Sequence, residues 1–292
     1  MRFRRTGWGW RRALPVLFLA LALPGGAPAQ PVPAEASRPR VDIPNLWDPR
    51  ARSDRPDLTG ARTVRFLTDD EFPPFHFAGP DGTLTGFSVE LARAACERLA
   101  LTCTVQARRF DTLLDSLAES RGDVVAAALP ITAALQNRFA VTHPYFRTPA
   151  RFAAAKGREE PPSPRALAGH PVGVVAGTAH EAFLAAFFKG AQVRPYPDLA
   201  AAAAALKAGE VEYVFADGVG LALWVGGAEA EGCCALVGGP YLESRYFGEG
   251  IGFVLRKDDD ALRRALDHAL ERLWDEGKYA ELYLRFFPVS PF

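Results

Sequence analysis

The sequence predicts an α/β protein of two lobes. Three observations carry that reading. Apolar runs of strand length alternate with helical patterns, the alternation fills two successive blocks, and a last strand-and-helix segment returns after the second block. A proline-rich crossover near residue 149 separates the blocks. Together these favour two lobes joined by two strands over one continuous sheet.

The first block opens with the apolar strand Val64–Leu67. Asp69, Asp70 and Glu71 follow, then an aromatic and proline-rich turn and a hairpin signal at Asp81-Gly82. A helix is expected from about Ser88, read as its N-cap, to Leu99. Cys103–Ala107 reads as a strand and 112–119 as a helix with Leu113, Leu114 and Leu117 on one face. Val124–Leu129 is a continuous apolar run, the pattern of a buried parallel strand. The second block begins near Phe152 with a linker, 158–164, and a helix-like turn at 164–168. The strand Pro171–Val175 leads to Gly177-Thr178 and a helix at 179–188. Gln192–Tyr196, the helix Leu199–Ala208, and the strand 211–216 ending at Asp217-Gly218 come next. A helix at 219–224 and a Gly/Cys loop close the block. The return segment holds a strand at 251–255 and two amphipathic helices, 260–274 and 278–287. The acids Asp258, Asp259 and Asp260 stand at the first helix's N-terminus, where the macrodipole favours negative charge.

The beginning of the chain has a different character. Arg2, Arg4, Arg5, Arg11 and Arg12 precede the apolar run 13–23, which breaks at Pro24-Gly25-Gly26 and reaches Ala27-Pro28-Ala29. A basic region, a short apolar region and an A-x-A site predict a signal peptide cleaved after Ala29. The apolar run is about half of what a membrane-spanning helix needs. Residues 30–62, rich in Pro, Arg and Asp, read as an extension, with Ile43, Leu46 and Trp47 able to pin part of it to the body.

With 292 residues, 49% of them hydrophobic, the chain can bury two cores. Removing residues 1–29 takes away five Arg and no acid, leaving 29 basic against 34 acidic side chains. A net charge of −5 argues against a nucleic-acid partner, which would require a basic surface. Export permits disulfides. A staple between Cys96 and Cys103, helix to strand, is the favoured pairing over two buried thiols. The adjacent Cys233 and Cys234 permit a vicinal ring or pairing elsewhere. No His stands near either pair at metal-finger spacing, so no metal is expected.

The motifs, in order and spacing, resemble one family. They are Phe72-Pro73-Pro74-Phe75, Gly82-x-Leu84-x-Gly86-Phe87-x-Val89-Glu90-Leu91, Gly122-Asp123-Val124, Thr132, and Thr142-x-Pro144-Tyr145. Further along are Leu167-x-Gly169, Val172-Gly173-Val174, Gly177-Thr178, Leu206-x-Ala208-Gly209-x-Val211-Glu212-Tyr213, Asp217, Leu273-x-x-x-Gly277-Lys278-Tyr279 and Tyr283-x-x-Phe286-Phe287. On these the chain, from Val64 to Phe287, is similar to the family 3 extracytoplasmic solute-binding proteins, the polar amino acid-binding class of ABC importers. The resemblance implies a two-lobed periplasmic binding protein fold of type II that closes by a hinge. Its first lobe would be 63–148 and 245–292, and its second 149–244. It also implies a periplasmic location, a small amine-bearing or amino acid-like ligand, a membrane ABC permease as partner, a monomer and no cofactor.

In the family, acids from both lobes hold the ligand's ammonium and a flat aromatic flanks its side chain. The matching positions are Asp69, Phe72, Phe110 and Asp217. The carboxylate clamp departs from the pattern. Leu135 stands where the family places an Arg three residues after the Thr matched by Thr132, and Pro130 stands where a second Thr assists. Neither substitute can make those contacts. Arg138, Arg147 and Arg151 are near in sequence, Arg138 nearest, and Gly177-Thr178 at a helix N-terminus offers backbone donors to an anion. The ligand is therefore expected to be selected by its positive end. Two other functions stay open on the same fold: a sensing or partner-binding module of a periplasmic system, and a dehydratase-type enzyme using Asp70, Glu71 and His143. The five His residues, His76, His143, His170, His180 and His268, are scattered, and no G-x-S-x-G elbow is present. A non-enzyme is the expectation.

Overall fold

The structure, a computed structural model, describes residues 43–47, 63–158 and 162–292, all within one compact unit, Val41–Phe292. The expected signal peptide, its cleavage site and most of the 30–62 extension lie outside the described residues. β1 (Val64–Thr68) opens the first sheet. A three-stranded meander follows, β2 (Glu71–Phe72), β3 (His76–Ala78) and β4 (Leu84–Thr85). Next come α1 (Phe87–Leu99), β5 (Cys103–Ala107), α2 (Leu113–Ala118), β6 (Val124–Val125), α3 (Ala133–Arg138) and β7 (Ala140–Val141). The middle of the chain runs β8 (Ala150–Ala155), β9 (Pro171–Val175), α4 (Ala179–Phe187), β10 (Gln192–Tyr196), α5 (Leu199–Ala208), β11 (Tyr213–Asp217), α6 (Gly218–Gly226), β12 (Cys234–Tyr241) and α7 (Ser244–Phe247). The last elements are β13 (Val254–Leu255), α8 (Asp260–Asp275) and α9 (Lys278–Phe286).

Two five-stranded sheets result, ordered β5-β1-β6-β13-β7 and β10-β9-β11-β8-β12. Each has a parallel trio in the order second, first, third strand, followed by two antiparallel strands. In such a sheet a crevice opens beyond the carboxyl ends of the first and third strands, where the crossovers diverge. The residues at those ends are Asp69 after β1, Gly177 after β9 and Asp217 closing β11.

Most elements form where periodicity places them, and the differences have physical causes. The run 124–129 makes ladder contacts at Val124 and Val125 alone, because the chain turns away and Ala128 adopts a left-handed φ of 48°. β8 and β12 replace an expected linker start and a Gly/Cys loop. Their sequences, ARFAAA and CALVGGPY, carry no period of two, and both strands are specified by their partners. Ser88 is not the N-cap of α1. Gly86 holds that position with φ 120°, and a Cβ there would collide with the carbonyl of Phe75. The first helical amides are instead taken by meander carbonyls, Phe87 N–H by Pro74 (2.8 Å) and Ser88 N–H by Phe75 (2.9 Å). Ser88 is buried and accepts a hydrogen bond from the Tyr145 hydroxyl (2.9 Å).

The first core joins α1, α8 and α9 to the sheet through an aromatic group, with Phe87 at its centre. Phe87 lies edge-on to Phe146, Tyr279, Tyr283 and Phe287. Trp47 packs 5.2 Å from Trp274 and 5.1 Å from Tyr279, with Ile43 and Leu46 beside it, so this part of the extension is pinned to the body. Cys96 and Cys103 form the expected disulfide between α1 and β5, and Cys233 and Cys234 form a vicinal one.

A charged cluster ties β1, β6 and β13 together. Asp123 is buried and accepts from Arg65 Nε (3.0 Å), Arg65 Nη2 (3.1 Å) and the Arg65 backbone N–H (2.9 Å). Arg256, just past β13, adds a contact to Asp123 at 3.4 Å and donates to the Gly122 carbonyl at 2.7 Å. Burial pushes the Asp123 carboxyl up, but the hydrogen bonds and charge of Arg65, with Arg256, outweigh it and hold the group below its ordinary range. A depressed native pKa means this stabilisation is present above the unfolded value and is lost as pH falls through the native one. Asp123→Asn is therefore expected to cost about 2–3 kcal/mol at neutral pH, discounted because Arg65 is partly exposed. Urea unfolding should show the gap to the wild type shrinking below about pH 4. A gap that stays constant down to pH 3 would contradict it.

Candidate functional site

The end of β1 is fixed before any site residue appears. The Thr68 hydroxyl donates to the Ala126 carbonyl at 2.9 Å, holding β1 to the chain beyond β6. Asp69, the next residue, is 7% exposed. Its Oδ1 lies 3.0 Å from Nδ1 of His76, a residue that β3 carries back towards β1. Asp69, Asp70 and Glu71 on this side, and Arg108, Arg109 and Phe110 beyond β5, line one cavity of ≈ 570 Å³. Arg109 is paired with Asp111, whereas Arg108 reaches Gln106 at 3.4 Å.

Phe72 and Phe110 are 52% and 56% exposed, so neither is a core residue. Phe72 is held by stacking on Phe75, with centroids 5.7 Å apart and planes 12° from parallel. An exposed aromatic beside acids is suited to a cation, which is drawn to both the ring face and the carboxylate.

The second sheet contributes Asp217, Gly177 and Thr178. Asp217 is half-buried and caps α6, accepting from the Gly220 N–H at 2.9 Å. Burial pushes its carboxyl up, against the pull of the Gly220 and Val219 amides. Thr178 caps α4, and Glu181 reaches back to take the Gly177 N–H at 2.7 Å. The pattern Thr178-x-x-Glu181 signals a capping box in the sequence, and in the structure Glu181 reaches one residue beyond the N-cap. The donor expected to receive an anion at Gly177 is thus occupied by the protein's own carboxylate. Asp69 and Phe110 share the cavity. No hydrogen bond or ion pair among the described residues joins them to Asp217, Gly177 or Thr178. Nor do three His, Cys, Asp or Glu side chains converge as a metal would need among the described residues.

Residues 64–289 match the family described as bacterial extracellular solute-binding proteins, family 3. The chain belongs to this family. The L-arginine-binding protein of Pseudomonas aeruginosa is 30% identical over 234 residues, covering 80% of this chain and 90% of that protein. The lysine/arginine/ornithine-binding periplasmic protein of Escherichia coli K12 is 31% identical over 230 residues, covering 78% and 88%. A solved periplasmic binding protein of Salmonella typhimurium, described for its high arginine specificity, is 27% identical with a TM-score of 0.54, covering 78% of this chain and all of that one. The fold is accordingly the two-lobed one of these binding proteins.

Thr132 caps α3 and accepts from the Leu135 N–H at 3.2 Å. Leu135 is buried among Leu67, Leu113, Leu117 and Phe139. Pro130 bridges Ile251. The position at which the resemblance places an Arg is thus part of the apolar core. Arg138 extends along the surface, 3.7 Å from Asp115 and 5.2 Å above the Phe139 ring. Arg147 is exposed. Arg151 is buried, its Nη1 donating to the Pro291 carbonyl at 3.1 Å and its pKa lowered by burial. Arg108, on the cavity wall, and His76, behind Asp69, were not among the binding candidates of the sequence. No period marks His76, since it and the preceding Phe75 are both buried. With its guanidinium engaged at Asp115, Arg138→Ala is expected to leave solute affinity within about twofold, the scale of an exposed ion pair. Calorimetric titration of the variant against the wild type checks this.

Proposed function

We propose that this protein is the periplasmic substrate-binding component of an ABC importer and takes a small cationic or amine-bearing solute between its lobes for delivery to a membrane permease. Its lobes are 63–148 with 245–292 and 149–244, and its exported form begins after cleavage at Ala29. It performs no catalysis. The observation that carries the reading is the joint placement of buried Asp69 and exposed Phe110 on one cavity, with Asp70 and Glu71 beside them. The names of the relatives, binders of arginine, lysine and ornithine, agree with a positively charged side chain as the recognised end.

In this reading Asp69 takes the cation, Phe72 and Phe110 flank it, and Asp217 completes the pocket from the second lobe when the hinge closes. Thr132 and Gly177-Thr178 shape the cleft without clamping a carboxylate. Leu135 and Pro130 supply no anion anchor, and Glu181 closes the backbone one. Arg109 is paired with Asp111 and Arg108 is exposed, so the buried carboxylate of Asp69 makes the positive end the selected one.

Calorimetry with L-arginine and its decarboxylated analogue agmatine tests this. Both should bind, with L-arginine no more than about tenfold tighter, a difference of about 1.4 kcal/mol. Asp69→Asn should weaken both by about thirtyfold or more, since a desolvated charge pair loses about 2 kcal/mol or more when one member is neutralised. Preference for L-arginine by a thousandfold would show a carboxylate anchor and overturn the reading.

A further inference from the structure

Three buried polar atoms, at the cavity wall and directly behind it, have no aligned hydrogen-bond partner: Oδ1 of Asp69, and both ring nitrogens of His76. Buried polar atoms are ordinarily satisfied, so a cluster of three beside a cavity calls for a reason. His76 is 1% exposed, and it is held in place by pairing in the meander, where β2 and β3 set it opposite Phe72. The Phe72 ring lies 5.5 Å from the imidazole. The imidazole cannot swing into solvent, and its Nδ1 stays 3.0 Å from the carboxylate that lines the cavity.

The groups that face His76 are of one kind. Asp69 approaches from the end of β1, together with its own backbone carbonyl, and the Ala127 carbonyl approaches from beyond β6. All are acceptors. The remaining charged groups at the cavity, Asp70, Glu71, Arg108, Arg109 and Asp111, are exposed. A neutral imidazole offers one N–H and an imidazolium offers two. Burial lowers the His76 pKa below its ordinary value, while the Asp69 charge and the two carbonyls oppose that shift. The largest of the effects that favour a protonated ring is the negative charge of Asp69. A cation seated on Asp69 cancels that charge and adds a like charge to the imidazolium's surroundings.

We propose that His76 is a positioning residue for Asp69 and trades a proton for the ligand's cation: a cationic group bound at Asp69 expels the proton from His76 to solvent. This rests on Asp69 being the cation's seat. The exchange balances in charge, one proton leaving as one positive group arrives. By linkage, affinity for a cation is full where His76 is already neutral and falls as pH drops through its native pKa, below the ordinary 6.5. In an acidified periplasm the protein would release its cargo.

The test is calorimetric titration of the full exported chain with L-arginine and with agmatine from about pH 8 down to pH 5. It is run in two buffers of different ionisation enthalpy, which counts protons. The wild type should release a rising fraction of one proton per cation below pH 6.5, and its affinity should fall by up to about tenfold per pH unit there. His76→Gln should bind at pH 8 and lose most of that slope. Zero proton release by the wild type over this range would overturn the proposal, and so would an unchanged slope in His76→Gln. The proton count on the wild type decides the matter even if the variant does not fold. If neither probe binds the wild type at pH 8, the seat at Asp69 fails and this proposal with it. If both bind without proton release, the proposal fails and the seat stands.

Discussion

The return of the chain to its first sheet is the constraint on which the rest of the molecule depends. β13 enters between β6 and β7, and among the described residues β7 pairs with no other strand. Without β13, β7 would lose its place, and with it the start of the crossover into the second sheet. The two crossovers leave and arrive on neighbouring strands at both ends, β7 with β13 and β8 with β12. They also bridge each other, the Ile251 N–H donating to the Phe146 carbonyl at 2.7 Å. The two connections therefore run side by side, joined by this bridge. Arg256 locks the arrangement by seating the end of β13 on the Gly122 carbonyl and Asp123.

Given that frame, the two sheets present equivalent strand ends to the cleft, but they have been furnished differently. The first offers acids, a locked histidine and exposed aromatic faces. The second offers Asp217, while Glu181 has already filled the amide at Gly177. Where the resemblance places a guanidinium, Leu135 extends the apolar cluster of Leu67, Leu113 and Leu117. The cavity at the end of β1 carries both signs, with Asp69, Asp70 and Glu71 on one side and Arg108 and Arg109 beyond β5, the latter paired with Asp111. Arg151 is buried against a main-chain carbonyl, away from this wall.

Much of the fold was legible. The strands at β1, β5, β9 and β10, and the helices α5, α8 and α9, announce themselves by period, by caps and by glycine punctuation. β8 and β12 did not, since an alanine run and a Gly-Gly-Pro segment become strands when a neighbour supplies the hydrogen bonds. Asp69, Phe72, Phe110 and Asp217 were named by the resemblance, and for Asp69 and Phe72 the acids beside aromatics at the end of the first strand agreed with it. Their exposure was not visible, since a Phe in sequence is equally suited to a core.

Sequence by itself determined the α/β class, the two-block plan with its return, the family and the Cys96–Cys103 staple. Each of these is written in local pattern or in residue identity. Only the tertiary structure decided that Leu135 belongs to the core, that Glu181 closes the Gly177 amide, that Arg138 lies against Asp115, and that His76 stands 3.0 Å from Asp69. Those facts depend on the direction a side chain takes and on which distant strand lies beside it, and contacts between residues far apart in the chain set both.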